Sequence, residues 1–294
     1  MKKILVLADM GWSIERVHRD VAAELGDHYE FTFRNAASFE FETVFNEFQA
    51  SDLCLTTLAI HDGIIETFNL TQEHDLRKLV TVAHGFGEIL KKDTWSKFIT
   101  YGAVSDVLVP FFPVLTHVVP NGVSPSFFER KELTGKVKLL GWCGAMYIPV
   151  KRAGWPTEIA RKSHLAISIA EKLTFEDVQK WYHTIDILLV TSGPEPHVET
   201  GPLPPFEAVL SGVPVIGTKV GNFRKMPGPK FSTTDEAAVI LEELKSDPER
   251  VKNLAAEQYT WVMEHWTYET HAAAWKQMFD AAIEKQKKTA LVNM

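Results

Sequence analysis

The chain has 294 residues, of which 45% are hydrophobic and 23% charged, and its formal net charge is −7. This composition is typical of a soluble globular protein and excludes a disordered or fibrous chain. The negative charge gives no global reason to expect binding to a polyanion. The length suits two domains of about 100–150 residues each.

The apolar runs and the cysteines indicate the cellular compartment of the protein. No stretch approaches the roughly 18 uninterrupted apolar residues of a membrane helix, and the N-terminus does not have the form of a signal peptide. Cys54 and Cys143 lie in apolar runs, as small buried hydrophobes do, and do not suggest a disulfide or a metal site. We therefore expect a cytoplasmic protein without an integral membrane segment.

The first 120 residues alternate short apolar runs with amphipathic or polar segments. A strand is predicted at 3–8, followed by a helix at 13–25 that ends before Gly26. The further predicted elements are strands at 30–34, 53–58, 79–84, 97–104 and 116–119, and helices at 42–48 and 88–95. Alternation of this kind favours a mainly parallel sheet covered by helices.

Pro120-Asn121-Gly122 predicts a turn, because Pro fixes φ and because Asn and Gly tolerate positive φ. We interpret this turn as the boundary between two domains. A second α/β series follows, with predicted strands at 137–144, 165–169, 185–192 and 213–218, and helices at 175–182, 204–211, 235–245, 248–265 and 268–287. A Pro-rich loop at 193–205 comes directly after one of these strands. Because open α/β sheets bind ligands at the carboxyl ends of their strands, the function is expected at this loop.

The segment with the clearest chemistry is ETGPLPPFEAVLSGVPVIGT, at 199–218. Its two carboxylates, Glu199 and Glu207, flank a loop that contains Gly and Pro. A helix that begins near Pro204 is expected to present unbonded backbone N–H groups and its positive dipole end to a diphosphate. Glu207 would then lie one turn inside the helix, face outwards near the ligand and accept two hydrogen bonds from a ribose diol.

This segment resembles the Glu-x7-Glu signature of the retaining glycosyltransferases of family 4, which have the GT-B fold. Positions on or beside the signature are Glu199, Gly201, Pro204, Glu207, Ala208, Gly212, Pro214, Val215 and Ile216. Other segments that resemble family motifs, in the family's order, are TVAHG at 81–85, VVPNGVSPSFF at 118–128 and LLGWCGAMYIPVKRAGW at 139–155. The resemblance covers nearly the whole chain.

The resemblance implies an α/β protein of the GT-B type, with two Rossmann-like domains whose parallel sheets face each other across a cleft. It implies an N-terminal acceptor domain at 1–118, a nucleotide-sugar donor domain at 119–266 and a C-terminal helix at 267–294 that packs back on the N-domain. The expected reaction moves a sugar from a nucleoside-diphosphate sugar to an acceptor hydroxyl with retention of configuration. The donor is a co-substrate, and we expect no separate cofactor. We also expect no metal, because the sequence has neither a D-x-D motif nor metal-ligand spacing.

The resemblance also assigns roles within the 199–218 segment. Glu199 is expected to contact the donor sugar, and Glu207 to bind the ribose. The backbone of Gly201, Pro202 and Leu203 is expected to hold the sugar and the phosphate.

Residues outside that segment complete the predicted site. Lys151 and Arg152 are expected to neutralise the diphosphate, since a diphosphate needs compensating positive charge and Arg can clamp it bidentately. His84 is expected to act from across the cleft and to position the sugar or the phosphate. Gly11 and Gly144, each at a predicted strand end, are further donor-binding candidates.

The sequence leaves the acceptor open. The family's usual acceptor is a glycan or a lipid-linked sugar, whereas a compact member could act on hydroxymethylated bases of DNA, as phage base-modifying glycosyltransferases do. A DNA-binding surface could be lined by Arg16, His18, Arg19, Lys91, Lys92 and Lys97. Alternatives of another class are a sugar-nucleotide epimerase, which needs more acid–base groups than this sequence offers, and a non-catalytic binding protein.

Overall fold

The computed structural model describes residues 1–9, 13–90, 92, 95–193 and 199–290, with side chains to 287 in the last helix. The chain divides into two compact units. The N-unit comprises Met1–Gly122 and Tyr268–Met294, and the C-unit comprises Val123–Thr267.

The N-unit is built on a six-stranded sheet, within the described residues, whose paired strands all run parallel in the order β2-β1-β3-β4-β5-β6. The strands are β1 (Lys2–Ala8), β2 (Tyr29–Asn35), β3 (Leu53–Thr57), β4 (Leu79–Ala83), β5 (Thr100–Ala103) and β6 (Thr116–Val118). The helices are α1 (Ser13–Leu25), α2 (Phe41–Ala50), α3 (His61–Thr67), α4 (Glu73–Leu76), α5 (Phe86–Leu90) and α11 (Tyr268–Ala290).

Burial explains the central strands of this sheet. Every residue of β3 and β4 is buried, as are the last five residues of β1. Strands covered by helices on both faces need continuous apolar runs, and these three segments have them. The α11 helix packs against α1 and the sheet, so the end of the chain belongs to the N-unit.

The predicted helix at 88–95 is wrong in its extent. The α5 helix covers Phe86–Leu90, and the chain is irregular at Lys92 and again from Trp95. The Lys92 ammonium donates to Asp62, and the Trp95 ring packs against Tyr101 at 5.1 Å between ring centroids. Tertiary contacts made by these two side chains therefore replace the helical pattern.

The C-unit contains a four-stranded sheet, again counted over the described residues, with parallel pairs in the order β10-β9-β7-β8. Its strands are β7 (Leu139–Cys143), β8 (Ala166–Ala170), β9 (Ile187–Val190) and β10 (Val215–Gly217). Its helices are α6 (Gly154–Lys162), α7 (Phe175–Tyr182), α8 (Pro204–Leu210), α9 (Thr234–Ser246) and α10 (Pro248–His265). The predicted α/β fold with parallel sheets is confirmed.

Two apolar cores form in the C-unit. One gathers Tyr182, Phe206 and Trp266, and the other gathers Trp142 and Leu241. The α8 helix is buried at nearly every position, so its surroundings and not its own amphipathicity decide which way its side chains point. Within the described residues, no helix is both long and apolar enough to cross a membrane.

Candidate functional site

Glu199 and Lys151 form an ion pair in the C-unit. The Lys151 ammonium donates to Glu199 Oε2, and the Ser192 hydroxyl donates to the same oxygen at 2.9 Å. Lys151 lies in a 3-10 turn in the loop that follows β7, and Ser192 lies two residues beyond β9. Since β7 and β9 are neighbours in a parallel sheet, their carboxyl ends bring these side chains together.

Buried hydrogen bonds hold the two loops in register. The Trp142 indole N–H donates to the Thr191 hydroxyl at 2.9 Å, and that hydroxyl donates to the Lys151 carbonyl at 2.9 Å. The Gly193 N–H donates to the Val150 carbonyl at 2.7 Å. These hydrogen bonds fix the Lys151 backbone, while the Lys151 side chain remains partly exposed beside Glu199.

Arg152 lies beside the same pair of loops. Its backbone has a positive φ of 48°, and its guanidinium stacks 4.4 Å from the centroid of the Trp155 ring. A Cβ built on Gly193 would lie 3.7 Å from the Arg152 Nε, an ordinary contact distance, so the guanidinium lies next to the Gly193 backbone. Lys151 is paired with Glu199, and Arg152 adds a second positive charge beside the same loops.

The backbone around Glu199 is held by a segment that the sequence analysis did not single out. The Asn222 N–H donates to the Thr200 carbonyl at 2.8 Å. Gly221, at φ +40° and ψ −136°, lies directly against this backbone. A Cβ on Gly221 would lie 2.3 Å from the Glu199 carbonyl oxygen and 2.2 Å from that of Thr200, so only Gly fits. A Gly followed by Asn was the available signal, and it was missed.

Glu207 does not face outwards as predicted. It is 3% exposed, and the buried hydroxyl of Tyr182 donates to its Oε2 at 2.9 Å. The α8 helix is embedded among α7, β9 and α10, so a residue one turn inside it points into the unit. The Tyr182 hydroxyl thus polarises the Glu207 carboxylate from the interior of the unit. Like the segment at Gly221 and Asn222, Tyr182 was not identified from the sequence.

The predicted array of unbonded N–H groups at the start of α8 is also wrong. Pro204 and Pro205 have no backbone N–H, because proline lacks it. The N–H groups of Phe206 and Glu207 both donate to the Leu203 carbonyl, at 3.0 and 3.1 Å. The N–H groups of Phe206 and Glu207 are therefore not available to a phosphate.

The remaining predicted C-unit residues lie around the ion pair. Gly144 follows β7, and a Cβ there would lie 3.2 Å from the Trp142 ring and 3.8 Å from Lys151 Cδ. Pro202 is buried and lines a small cavity of about 20 Å³ together with Glu199 and Lys151. Gly201 is half-buried and Leu203 is buried.

His84 belongs to the N-unit, where it follows β4, and Gly11 lies outside the described residues. The His84 ring lies 5.6 Å from the ring of His18, which in turn lies 6.2 Å from Trp275. Burial, together with the neighbouring His18, lowers the pKa of His84 to about 3. His84 is therefore neutral at physiological pH, so it could position a ligand by hydrogen bonding but not by charge.

Two of the six residues predicted to line a DNA-binding surface are buried. His18 is 0% exposed, and the Lys92 side chain is 1% exposed and paired with Asp62. Arg19 and Lys97 are exposed, Arg16 is half-buried, and Lys91 lies outside the described residues. Arg19 is bound by Glu15 at 2.7 Å, which offsets its charge.

No protein-family model matches the sequence, and no curated protein matches it either. Solved structures do match. Alr3699/HepE from Anabaena, in complex with UDP and glucose, has a TM-score of 0.71 at 14% identity, covering 96% of this chain and 100% of that chain. T4 phage BGT, in complex with its UDP-glucose substrate, has a TM-score of 0.64 at 11% identity, covering 96% of this chain and 99% of that chain.

AviGT4, a glycosyltransferase involved in avilamycin A biosynthesis, has a TM-score of 0.61 at 13% identity, covering 97% of this chain and 98% of that chain. These matches run over whole chains and reproduce both Rossmann-like units. The chain has the GT-B fold. At these identities the similarity concerns the fold, so the chemistry must be argued from the chain's own residues. Among the described residues, no group of three or more His, Cys, Asp or Glu side chains could hold a metal ion.

Proposed function

We propose that the chain is a glycosyltransferase that moves a sugar from a nucleoside-diphosphate sugar to an acceptor hydroxyl, with retention of configuration and without a metal ion. The observation that carries the proposal is the meeting of Lys151, Ser192 and Glu199 at the carboxyl edge of the C-unit sheet. Within the described part of these loops, the cations of Lys151 and Arg152 and the carboxylate of Glu199 suit a donor that joins an anionic diphosphate to a neutral sugar. The Glu-x7-Glu resemblance supports the same reaction and implies retention.

The main task of these residues is electrostatic. Negative charge builds on the diphosphate as the bond from its oxygen to the anomeric carbon breaks, and preorganised cations stabilise that charge. Lys151 and Arg152 supply the cations, and Glu199 orients the Lys151 ammonium while accepting hydrogen bonds from the sugar hydroxyls. The resemblance assigns the ribose of the donor to Glu207; because Glu207 is 3% exposed and accepts the Tyr182 hydroxyl inside the unit, this role stays a prediction.

A panel of uridine and guanosine diphosphates and their sugars tests the donor site directly. A ligand that binds only the native state raises the melting temperature by mass action. We expect at least one nucleotide sugar to raise it at millimolar concentration. NMR of the reaction products then gives the anomeric configuration, and an inverted product would contradict retention. Formation of an epimer without any acceptor would instead identify an epimerase.

The double variant Lys151→Ala/Arg152→Ala tests the role of the two cations. We expect turnover at saturating donor to fall by two or more orders of magnitude, on the order of 3 kcal/mol, while donor affinity falls by less. Lys180→Ala is a matched control, because Lys180 is an exposed C-unit lysine paired with Glu176 at 2.8 Å. Normal turnover in the double variant would move the phosphate site elsewhere.

A further inference from the structure

A cavity of about 330 Å³ lies in the N-unit, at the carboxyl edge of its sheet. Its walls come from the segment after β3, at Leu58 and Ala59, and from the segment after β4, at Gly85 and Gly87. Open parallel sheets bind ligands at this edge. The volume is at the lower end of the roughly 300–1,000 Å³ range of small-molecule sites. The cavity therefore has the size and the position of a site for one small ligand.

Glu88 lines this cavity and is held in place by backbone donors. Its Oε1 accepts the His84 N–H at 3.1 Å, and the nearby backbone of Gly85 and Ala59 favours the ionised form of the carboxyl group and so lowers its pKa, although burial raises it more. Its Oε2 is buried and makes no hydrogen bond within the described part of the chain. A buried polar atom of this kind is costly unless something completes its hydrogen bonding. A hydroxyl group bound in the cavity would do so.

Lys92 and Asp62 supply a second polar group to the same cavity. The Lys92 ammonium is buried and donates to Asp62 Oδ1, while the Asp62 side chain is 57% exposed. An ammonium has three N–H donors, of which Asp62 takes one. The cavity is thus lined by hydrogen-bond donors and acceptors that lie side by side.

The balance of charge indicates which ligands fit. Among the described residues that line the cavity, the charged groups are the carboxyl groups of Asp62 and Glu88 and the ammonium of Lys92, so this lining offers no net positive charge to an anion such as a phosphate or sulfate. A neutral hydroxyl group both donates and accepts, so it can pair with a carboxylate and an ammonium at once. Gly87 leaves the cavity open on its side, because nothing lies within 4 Å of a Cβ built there.

We propose that this cavity binds the acceptor of the transfer, and that the acceptor is a neutral polyhydroxylated molecule, a sugar or a polyol. Its hydroxyl groups hydrogen-bond to Glu88, Asp62 and Lys92. The proposal rests on the proposed glycosyl transfer and adds the site and chemical class of the acceptor. Hydroxymethylated DNA is the competing acceptor, and two of the six residues considered for its surface, His18 and Lys92, are buried.

Two pairs of variants test the cavity. Gly87→Phe fills it, whereas Gly63→Phe is a matched control, since Gly63 also lies in a short helix with nothing within 4 Å of its built Cβ but does not line the cavity. Glu88→Gln keeps an oxygen for the His84 N–H but replaces Oε2 with an amide that cannot accept. Its control is Glu66→Gln, at an exposed carboxylate of the same unit.

Saturation-transfer NMR with glucose, mannose, N-acetylglucosamine, glycerol and inositol measures acceptor binding, and a transfer assay with the same compounds measures KM and kcat. We expect Gly87→Phe and Glu88→Gln to raise the acceptor KM at least tenfold, with kcat changed less and the nucleotide-induced melting shift unchanged. Both controls should behave as the wild type.

The readouts separate the two proposals. No melting shift with any nucleotide in the wild-type protein would overturn the proposed function. A normal nucleotide shift with no NMR signal from any sugar or polyol would overturn the acceptor site alone. Transfer only to hydroxymethylated DNA would also overturn the acceptor site alone. So would transfer to a sugar that Gly87→Phe leaves unaffected.

Discussion

Gly221→Ala should damage the donor site without removing any group that contacts the donor. Gly221 adopts φ +40° and ψ −136°, and its Cα faces the carbonyl oxygens of Glu199 and Thr200. A methyl group would lie 2.3 and 2.2 Å from these oxygens, so one segment must move by roughly an ångström to reach an allowed contact distance. Both neighbours are backbone, so no side-chain rotation can relieve the overlap.

The expected cost follows from two contributions. Holding a non-Gly residue in a disfavoured backbone region costs about 1–3 kcal/mol. Displacing the segment also breaks the bond from the Asn222 N–H to the Thr200 carbonyl, which is worth about 1 kcal/mol. The sum is roughly 2–4 kcal/mol, and at about 2–4 °C per kcal/mol it lowers the melting temperature by about 5 °C or more. Because the Glu199 backbone moves, nucleotide-sugar affinity should fall as well.

Calorimetry of unfolding and of nucleotide binding measures both effects. The matched control is Gly154→Ala, at an exposed C-unit position where nothing lies within 4 Å of the built Cβ. In a helix, this change is neutral or stabilises by up to about 1 kcal/mol. Wild-type melting and wild-type nucleotide affinity in Gly221→Ala would refute the argument that this glycine holds the Glu199 segment.

Two further predictions concern buried polar groups. Tyr182→Phe removes the hydroxyl that donates to Glu207 at 2.9 Å, so it should destabilise the C-unit by about 1.5–3 kcal/mol and weaken nucleotide binding, as measured by calorimetry. Burial lowers the pKa of His18 and of His61 to about 4, so each favours the folded state above pH 6.5 and loses up to about 3 kcal/mol as the pH falls towards 4. Burial raises the pKa of Glu88 to about 7, which acts in the opposite direction, since its contribution to stability is lost as the pH rises from 4.5 to 7. His84, whose pKa burial lowers to about 3, adds a similar loss, so the net expectation is a loss on the order of 6 kcal/mol between pH 7 and pH 4, and a melting temperature that stays constant over this range would contradict it.

The sequence by itself predicted most of the strands and the long helices. The apolar run predicted as a strand at 79–84 is β4 at Leu79–Ala83, and the helix predicted at 248–265 is α10 at Pro248–His265. The start of α10 is encoded locally, because the Asp247 side chain accepts the Arg250 N–H and Pro248 occupies the first turn. The short α3 helix was not predicted. It contains Gly63 and buries only two residues, so its hydrophobic pattern has no clear helical period.

Only the tertiary structure decided how the candidate site is arranged. Lys151 and Glu199 were each predicted, but their ion pair depends on β7 and β9 being neighbours, and strand order is a long-range property that no local pattern contains. The inward direction of Glu207 follows from the packing around α8, whose sequence is apolar on nearly every side and so specifies no exposed face. The cavity beside Glu88 likewise forms where segments after two separate strands meet, because burial and hydrogen bonding are set by what the fold brings against each residue.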